Sequence, residues 1–307
     1  MSYTLKNYST NMDKKKRKTF CIVCASKIFN TVETFKKPRK YNIIECLSCG
    51  VMMQEPMPTV SFLKNEYKKI YSSKKKDSST EKAFYEFDRR QEKGRIKEIQ
   101  KFKKGGSLLD VGASSGFFVK VLSQDKRWNA IGLEYSLPAV KEARKNEIDL
   151  IHGDIFSSHL SSKINSGQFD VITMHSVLEH VPDPNSCLKE IHNNLKKTGL
   201  LVFSVPNIRS FEYFFYKKIG KRFPGFIDEH IYYFTPHSIS IILKNQGFTI
   251  KKITSRHYST IHFPSRRPLV GWITFPVKLL LEYTQFGGSF KIGNLLYVYA
   301  EKDEKKN

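Results

Sequence analysis

No apolar run reaches the roughly 18 residues that a bilayer-crossing helix needs, so none is expected anywhere in the 307 residues. The opening stretch, MSYTLKNYSTNMDKKKRKTF, has no apolar core of the secretory kind, and the expected location is the cytosol. Acidic residues are scarce: 29 Asp and Glu stand against 52 Lys and Arg, a formal net charge of +23. Such an excess raises nucleic acid or an anionic membrane surface as partners. The lysines are spread along the chain, however, and only Lys14 to Lys18 and Lys74 to Lys76 are tightly clustered, so the charge is read as a solvated surface. Cysteine is also sparse, with five in all, but four of them form two C-x-x-C pairs. In a cytosolic chain such pairs point to metal rather than to disulfides.

Residues 1–18 are polar and basic and are expected to be a disordered tail. CIVC (Cys21, Cys24), a strand-like YNIIEC and CLSCG (Cys46, Cys49) then make a zinc-ribbon module over 19–57. Each knuckle offers two thiolates from one side, and Zn²⁺ takes four in a tetrahedron. A core this small needs such a staple. Four thiolates leave no open position, so the expected role is structural. A helical linker follows over 58–104. Its second half is amphipathic, with Phe84, Phe87, Ile96, Ile99 and Phe102 near one face and Gly105 as a stop.

From residue 105 to 303 strand and helix signals alternate. Strands are expected at Ser107 to Val111, Ala130 to Glu134, Leu150 to Ile151, Phe169 to Met174, Leu200 to Val205, Phe248 to Ile253 and Leu295 to Ala300. One helix starts at Asp183-Pro184, carries Leu188, Ile191 and Leu195, and stops at Gly199. Another starts at Thr235-Pro236 and stops at Gly247. This pattern predicts an α/β fold: a doubly wound, mostly parallel, Rossmann-like sheet of seven strands, preceded by the small zinc ribbon. Two insertions interrupt it, 209–227, dense in aromatics and lysines, and 261–287, which contains Trp272, Phe275 and LLLEY. Each suits a lid over a site, a cover for the core, or peripheral contact with a membrane surface through 209–227 and 270–286.

LLDVGASSGFF, residues 108–118, puts a buried strand directly into a glycine turn and a helix. In a doubly wound sheet the crevice beyond the strand ends is the ligand site, and Gly112 and Gly116 let backbone approach a ligand closely. Glu134 ends the second strand, where a carboxylate can hold ribose hydroxyls. Asp154 ends the third. A dinucleotide-binding G-x-G-x-x-G is absent, because GASSGFF has the wrong spacing.

Taken in order, these motifs resemble those of class I S-adenosylmethionine (SAM)-dependent methyltransferases over roughly residues 80–303. The family's D-x-G-x-G-x-G is matched by Asp110, Gly112, Ser114 and Gly116, with serine at the middle glycine. The resemblance implies SAM as cofactor, with Asp110 and the Gly112 to Gly116 backbone along its methionine part. Glu134 would hold the ribose, Tyr135 would lie against the adenine, Asp154 and the Ile155 amide would sit near the adenine amino group, and His175 near the methyl. CIVC…CLSCGVMMQEPMP resembles the zinc module of sugar C-methyltransferases. DEHIYYFTPHSI resembles a motif of surface-polysaccharide methyltransferases and, more distantly, of ubiquinone-pathway O-methyltransferases.

A small-molecule or glycan substrate is therefore expected, with a sugar first and a quinone or lipid-linked acceptor at the inner face of the membrane as the alternative. A nucleic-acid-binding protein or RNA methyltransferase is the third reading. Against it, MHSVLEH stands where an N-P-P-[YF] motif for planar amino groups would be. His230, after Asp228-Glu229, is the first choice of general base, and either carboxylate would orient it or raise its pKa. His175 is the second choice, and Tyr232 and Tyr233 are expected acceptor contacts. In ubiquinone-type enzymes an E-x-x-E-H pattern accompanies a divalent metal. Here Ser176 occupies its first position, so Glu179-His180 is assigned a structural role, and Cys187 is read as a buried apolar residue.

Overall fold

The computed structural model describes residues 20–59, 61–63, 65–66, 92–156, 167–256 and 291–303. The basic tail, the 261–287 insertion and the first part of the amphipathic helix lie outside these. Of that helix, residues 92–99 are described and helical.

Eleven strands are described, in two sheets. The smaller has the order β1 (Phe29–Phe35), β2 (Tyr41–Cys46), β3 (Met52–Glu55) and β9 (Tyr232–Tyr233). The larger has seven strands in the order β10-β11-β8-β7-β4-β5-β6. They are β4 (Gly106–Val111), β5 (Trp128–Glu134), β6 (Leu150–His152), β7 (Phe169–His175), β8 (Leu195–Pro206), β10 (Phe248–Arg256) and β11 (Leu295–Lys302). β8, β7, β4, β5 and β6 pair in parallel, while β11 runs antiparallel to both its neighbours. The chain order turns back beside β4, the first strand of the sheet, and that reversal opens the crevice in which such folds bind ligands. Leu108, Leu109, Ile172, Met174, Leu201 and Phe203 are fully buried, as continuous apolar strands covered on both faces should be.

After the helix over 92–99, the domain's helices are α1 (Phe117–Leu122), α2 (Leu137–Lys145), α3 (Pro184–Asn194), α4 (Phe211–Lys218) and α5 (Pro236–Asn245). Asp183 caps α3 by accepting from the Ser186 amide at 3.1 Å, and Thr235 caps α5 through a reciprocal box with Ser238. The boundary between α3 and β8 differs most from the sequence expectation. α3 ends at Asn194, whose side chain donates to the Glu190 carbonyl, and Leu195 is already extended. Phe169 pairs with Leu195 and Val171 with Leu200, so residues 196–199 bulge out of the ladder. Gly199 serves that bulge, not a helix end.

The cysteine module is not a free-standing bead. Cys21, Val23, Cys46, Cys49, Val51 and Met53 share one hydrophobic core with Leu109, Met174, Phe203 and Ile242. Its sheet is completed from the other domain, with Met52 opposite Tyr233 and Met53 opposite Tyr232. No helix among the described residues is long and apolar enough to cross a membrane.

Candidate active site

Where β4 ends, the backbone turns through three left-handed residues, Gly112 (φ 77), Ser114 (φ 51) and Gly116 (φ 73). A side chain at Gly112 would meet Val177 Cγ2 at 2.5 Å, and one at Gly116 would meet Ile148 Cγ2 at 2.7 Å. Only glycine fits both positions. Ser114 takes the same backbone region, and its N–H donates to Glu134 Oε2 at 2.7 Å. The other oxygen of Glu134 accepts from the Ser136 N–H, also at 2.7 Å. One buried carboxylate thus joins the glycine turn to the start of α2. Burial pushes its pKa up, and the Ser136 and Ser114 amides oppose that.

These residues wall a cavity of about 370 Å³, a size suited to a nucleoside-type ligand. Gly112, Ser114, Glu134, Tyr135, Asp154, Ile155 and His175 all line it. Two residues expected there do not. Gly116 packs against Ile148 and Leu150. Asp110 sits inside the sheet, accepting from the Thr173 hydroxyl at 2.6 Å, its pKa pushed up to about 7 by burial. The set present suits SAM: backbone without side chains at the turn, an acidic end at Glu134 and Asp154, and an apolar wall elsewhere, with Leu133, Phe156 and Val177.

The opposite wall is Ser176, Val177, His180, Val181 and Pro182. His175 Nδ1 lies 3.2 Å from Ser204 Oγ, and its Nε2 is buried without a hydrogen-bond partner. Burial first, and Arg95 second, hold its pKa well below the usual histidine value. His180 occupies a 3₁₀ turn over Leu178–His180. Its Nδ1 faces the Glu229 carbonyl at 2.9 Å, so that nitrogen carries the proton, while Nε2 is the unprotonated nitrogen and lies 4.0 Å from Glu179 Oε1. Its pKa falls to about 4 through burial, so it is neutral near pH 7.

His230 stands behind His180, with ring centroids 4.7 Å apart. It does not line the cavity itself. The expectation that Asp228 or Glu229 would raise its pKa is overturned. Asp228 accepts from the Tyr41 hydroxyl at 2.8 Å, Glu229 contributes a backbone carbonyl to His180, and burial and His180 hold His230 well below the usual value. Tyr232 and Tyr233 are likewise turned away from an acceptor. Their hydroxyls donate to the Pro182 carbonyl at 3.0 Å and the Ile227 carbonyl at 3.1 Å, and both rings are buried in β9. His180 was not foreseen as a wall residue, although its place just after β7 in MHSVLEH was the available signal.

Glu179 is fully buried with neither carboxylate oxygen hydrogen-bonded, and its pKa rises to about 8. Donor atoms of Glu179, His180 and His230 lie within 4.8 Å of one another. This set suits a divalent cation, beyond the structural role expected for Glu179-His180.

A second donor cluster is the cysteine tetrad, again with ligand atoms within 4.8 Å. Cys21 Sγ is 3.5 Å from Cys49 Sγ, and Cys24 Sγ is 3.6 Å from Cys46 Sγ. Thiolates about 2.3 Å from a tetrahedral Zn²⁺ lie about 3.8 Å apart, so the fit is close. The contact between Cys21 and Cys49 lowers the Cys21 thiol and raises the Cys49 thiol, so the two sulfurs share one proton, which a bound metal would displace.

Comparison with known proteins agrees with this geometry. A family profile described as a methyltransferase domain matches residues 84–253. A ubiquinone biosynthesis O-methyltransferase of Acinetobacter baumannii (strain ACICU) is 24% identical over 166 residues, spanning 51% of this chain and 69% of the relative. One of Pseudomonas aeruginosa (strain UCBPP-PA14) is 24% identical over 166 residues, spanning 51% and 70%. A crystal structure of a Thermotoga maritima SAM-dependent methyltransferase, a possible histamine N-methyltransferase, overlays with a TM-score of 0.50 at 18% identity, covering 78% of this chain and 95% of that one. At that identity the overlay speaks for the fold alone.

Proposed function

This chain belongs to the methyltransferase-domain family, and from that premise we propose that it methylates a sugar, nucleotide-linked or within a surface glycan. It is a class I SAM-dependent methyltransferase with a four-cysteine zinc module. SAM brings the methyl already activated on a sulfonium, so the protein's work is alignment and proton removal. The Gly112 and Ser114 backbone and Glu134 would hold the cofactor. Each oxygen of Glu134 accepts one N–H, which leaves acceptor capacity for the ribose hydroxyls. His180 on the wall, backed by His230, would take the acceptor's proton, and both are neutral near pH 7, as a base must be.

The observation that carries the sugar reading is the docking of the zinc module on the acceptor side. β3 pairs with β9, immediately after His230, and this module is the part that resembles sugar methyltransferases. On this reading the enzyme works in the cytosol. A quinone or lipid-linked acceptor is the second reading. It is favoured by the ubiquinone-pathway relatives and by α4, where Phe214 is 63% and neighbouring Ile219 40% exposed beside Lys217 and Lys218.

The test incubates purified protein with methyl-labelled SAM and a cell extract split into sugar and glycan, lipid, protein and RNA fractions. Label in the sugar and glycan fraction supports the proposal, and label confined to lipid replaces it with the second reading. The same assay run with EDTA decides the Glu179, His180 and His230 cluster. A rate lost in EDTA with the four-cysteine zinc still in place, and restored by a divalent cation such as Mn²⁺ or Fe²⁺, assigns acceptor activation to a cation. An unchanged rate leaves it with the histidines.

A further inference from the structure

Between the zinc module and the cavity wall runs one loop, Ile227 to Ile231, and Gln54 grips it. Gln54 is buried on β3. Its amide nitrogen reaches three backbone carbonyls, those of His230 at 2.8 Å, Asp228 at 3.1 Å and Ile227 at 3.4 Å. Its own backbone N–H donates to the Ile231 carbonyl at 3.0 Å. Arg39, whose guanidinium also donates to the Pro56 carbonyl at 2.9 Å, donates to the Gln54 side-chain oxygen and so fixes which way the amide faces. A second strut, the Tyr41 hydroxyl, ends on Asp228.

The far side of the same loop holds the cavity wall. Its Glu229 carbonyl accepts from His180 Nδ1, and its Ile231 N–H donates to the Glu179 carbonyl at 2.8 Å. The ring of His230 packs on that of His180. A shift of the loop would therefore move both histidines, and with Glu229 it would remove the bond that sets the His180 tautomer. A side chain with an acceptor on one side and an N–H₂ on the other serves Arg39 and the His230 and Asp228 carbonyls together, the Ile227 carbonyl sharing one of its two hydrogens.

We propose that Gln54 is a positioning residue for methyl transfer, through which the zinc module sets the geometry of the His180–His230 pair. This rests on the reading of that pair as the acceptor's proton acceptor. The zinc module is then a working half of the acceptor site as well as a staple, while the SAM half, built on the glycine turn and Glu134, is independent of it.

The test uses the full chain with Gln54→Met, which keeps the length and removes the donors. Three readouts are taken. Hydrogen exchange over residues 227–233 should be at least tenfold faster, with residues 106–116 unchanged. The SAM Kd should stay within twofold while kcat falls at least tenfold. In a His180→Gln background, Gln54→Met should cost less than a further twofold in kcat, because the base that the loop positions is gone. Wild-type exchange in Gln54→Met, or a full multiplicative loss in the double variant, overturns the proposal. If Gln54→Met loses its zinc, Tyr41→Phe carries the same readouts on an intact module, with about threefold effects expected and none refuting. The exchange arm needs no acceptor, so failure of the sugar reading and failure of this inference are told apart.

Discussion

Replacing Glu134 by glutamine changes one atom and should cost the protein much of its cofactor affinity. The carboxylate accepts from the Ser114 and Ser136 amides, each at 2.7 Å, with one oxygen for each. Glutamine keeps one oxygen and turns an N–H₂ toward the other amide. One hydrogen bond to a charged group is lost, worth about 1.5–3 kcal/mol, and a buried N–H is left without an acceptor. Removal of the desolvated charge offsets part of this, since burial already raises the Glu134 pKa, so the net stability loss should be about 1–2 kcal/mol. The cofactor loses a charged acceptor at the same point. Another roughly 1.5–3 kcal/mol there corresponds to a Kd about 10- to 150-fold higher. Calorimetric titration with SAM and with its demethylated product measures this, and both should weaken equally because the change lies at the ribose end. A Kd within twofold of wild type would refute the placement of SAM against Glu134.

Gly112→Ala combines φ 77 with a methyl 2.5 Å from Val177 Cγ2, and should destabilise by about 2–4 kcal/mol in thermal unfolding. Adding Val177→Ala should recover the clash part but not the backbone part. Asp110 has a folded pKa raised to about 7 from 3.8, so the folded state holds a proton that the unfolded state releases. Its stabilising contribution is complete below pH 3.8 and is lost as pH rises through about 7. Asp110→Asn removes the titration, and its stability relative to wild type should improve by about 2 kcal/mol between pH 5.5 and 8 in calorimetry. Cys46→Ser should abolish zinc binding by elemental analysis and lower the melting temperature, because its thiol is one of four converging on the site.

The sheet was legible because its strands are buried on both faces and leave contiguous apolar runs such as Leu200 to Phe203. The turn was legible because positive φ at Gly112 and Gly116 admits glycine and little else. The pairing of Tyr232–Tyr233 with β3 was not, since it joins residues far apart in the chain by backbone bonds that carry no local pattern. Gln54 was missed for the same reason: its three acceptors are backbone carbonyls, which any residue supplies. Gly199 misled because a strand bulge and a helix stop call for the same residue. His230 was seen as a titratable group beside two acids, but neighbours in sequence point to different partners, and burial set its pKa direction.

One site has two halves, a SAM half on the glycine turn and Glu134 and an acceptor half on the His180–His230 pair. The most direct measurement is SAM affinity and methyl-transfer rate, side by side, for His180→Gln with the acceptor pool that the labelled assay identifies. The SAM Kd should stay within twofold of wild type while kcat falls by about 10²-fold or more, the usual scale for loss of acid–base catalysis. Full turnover in His180→Gln would contradict the assignment of the base.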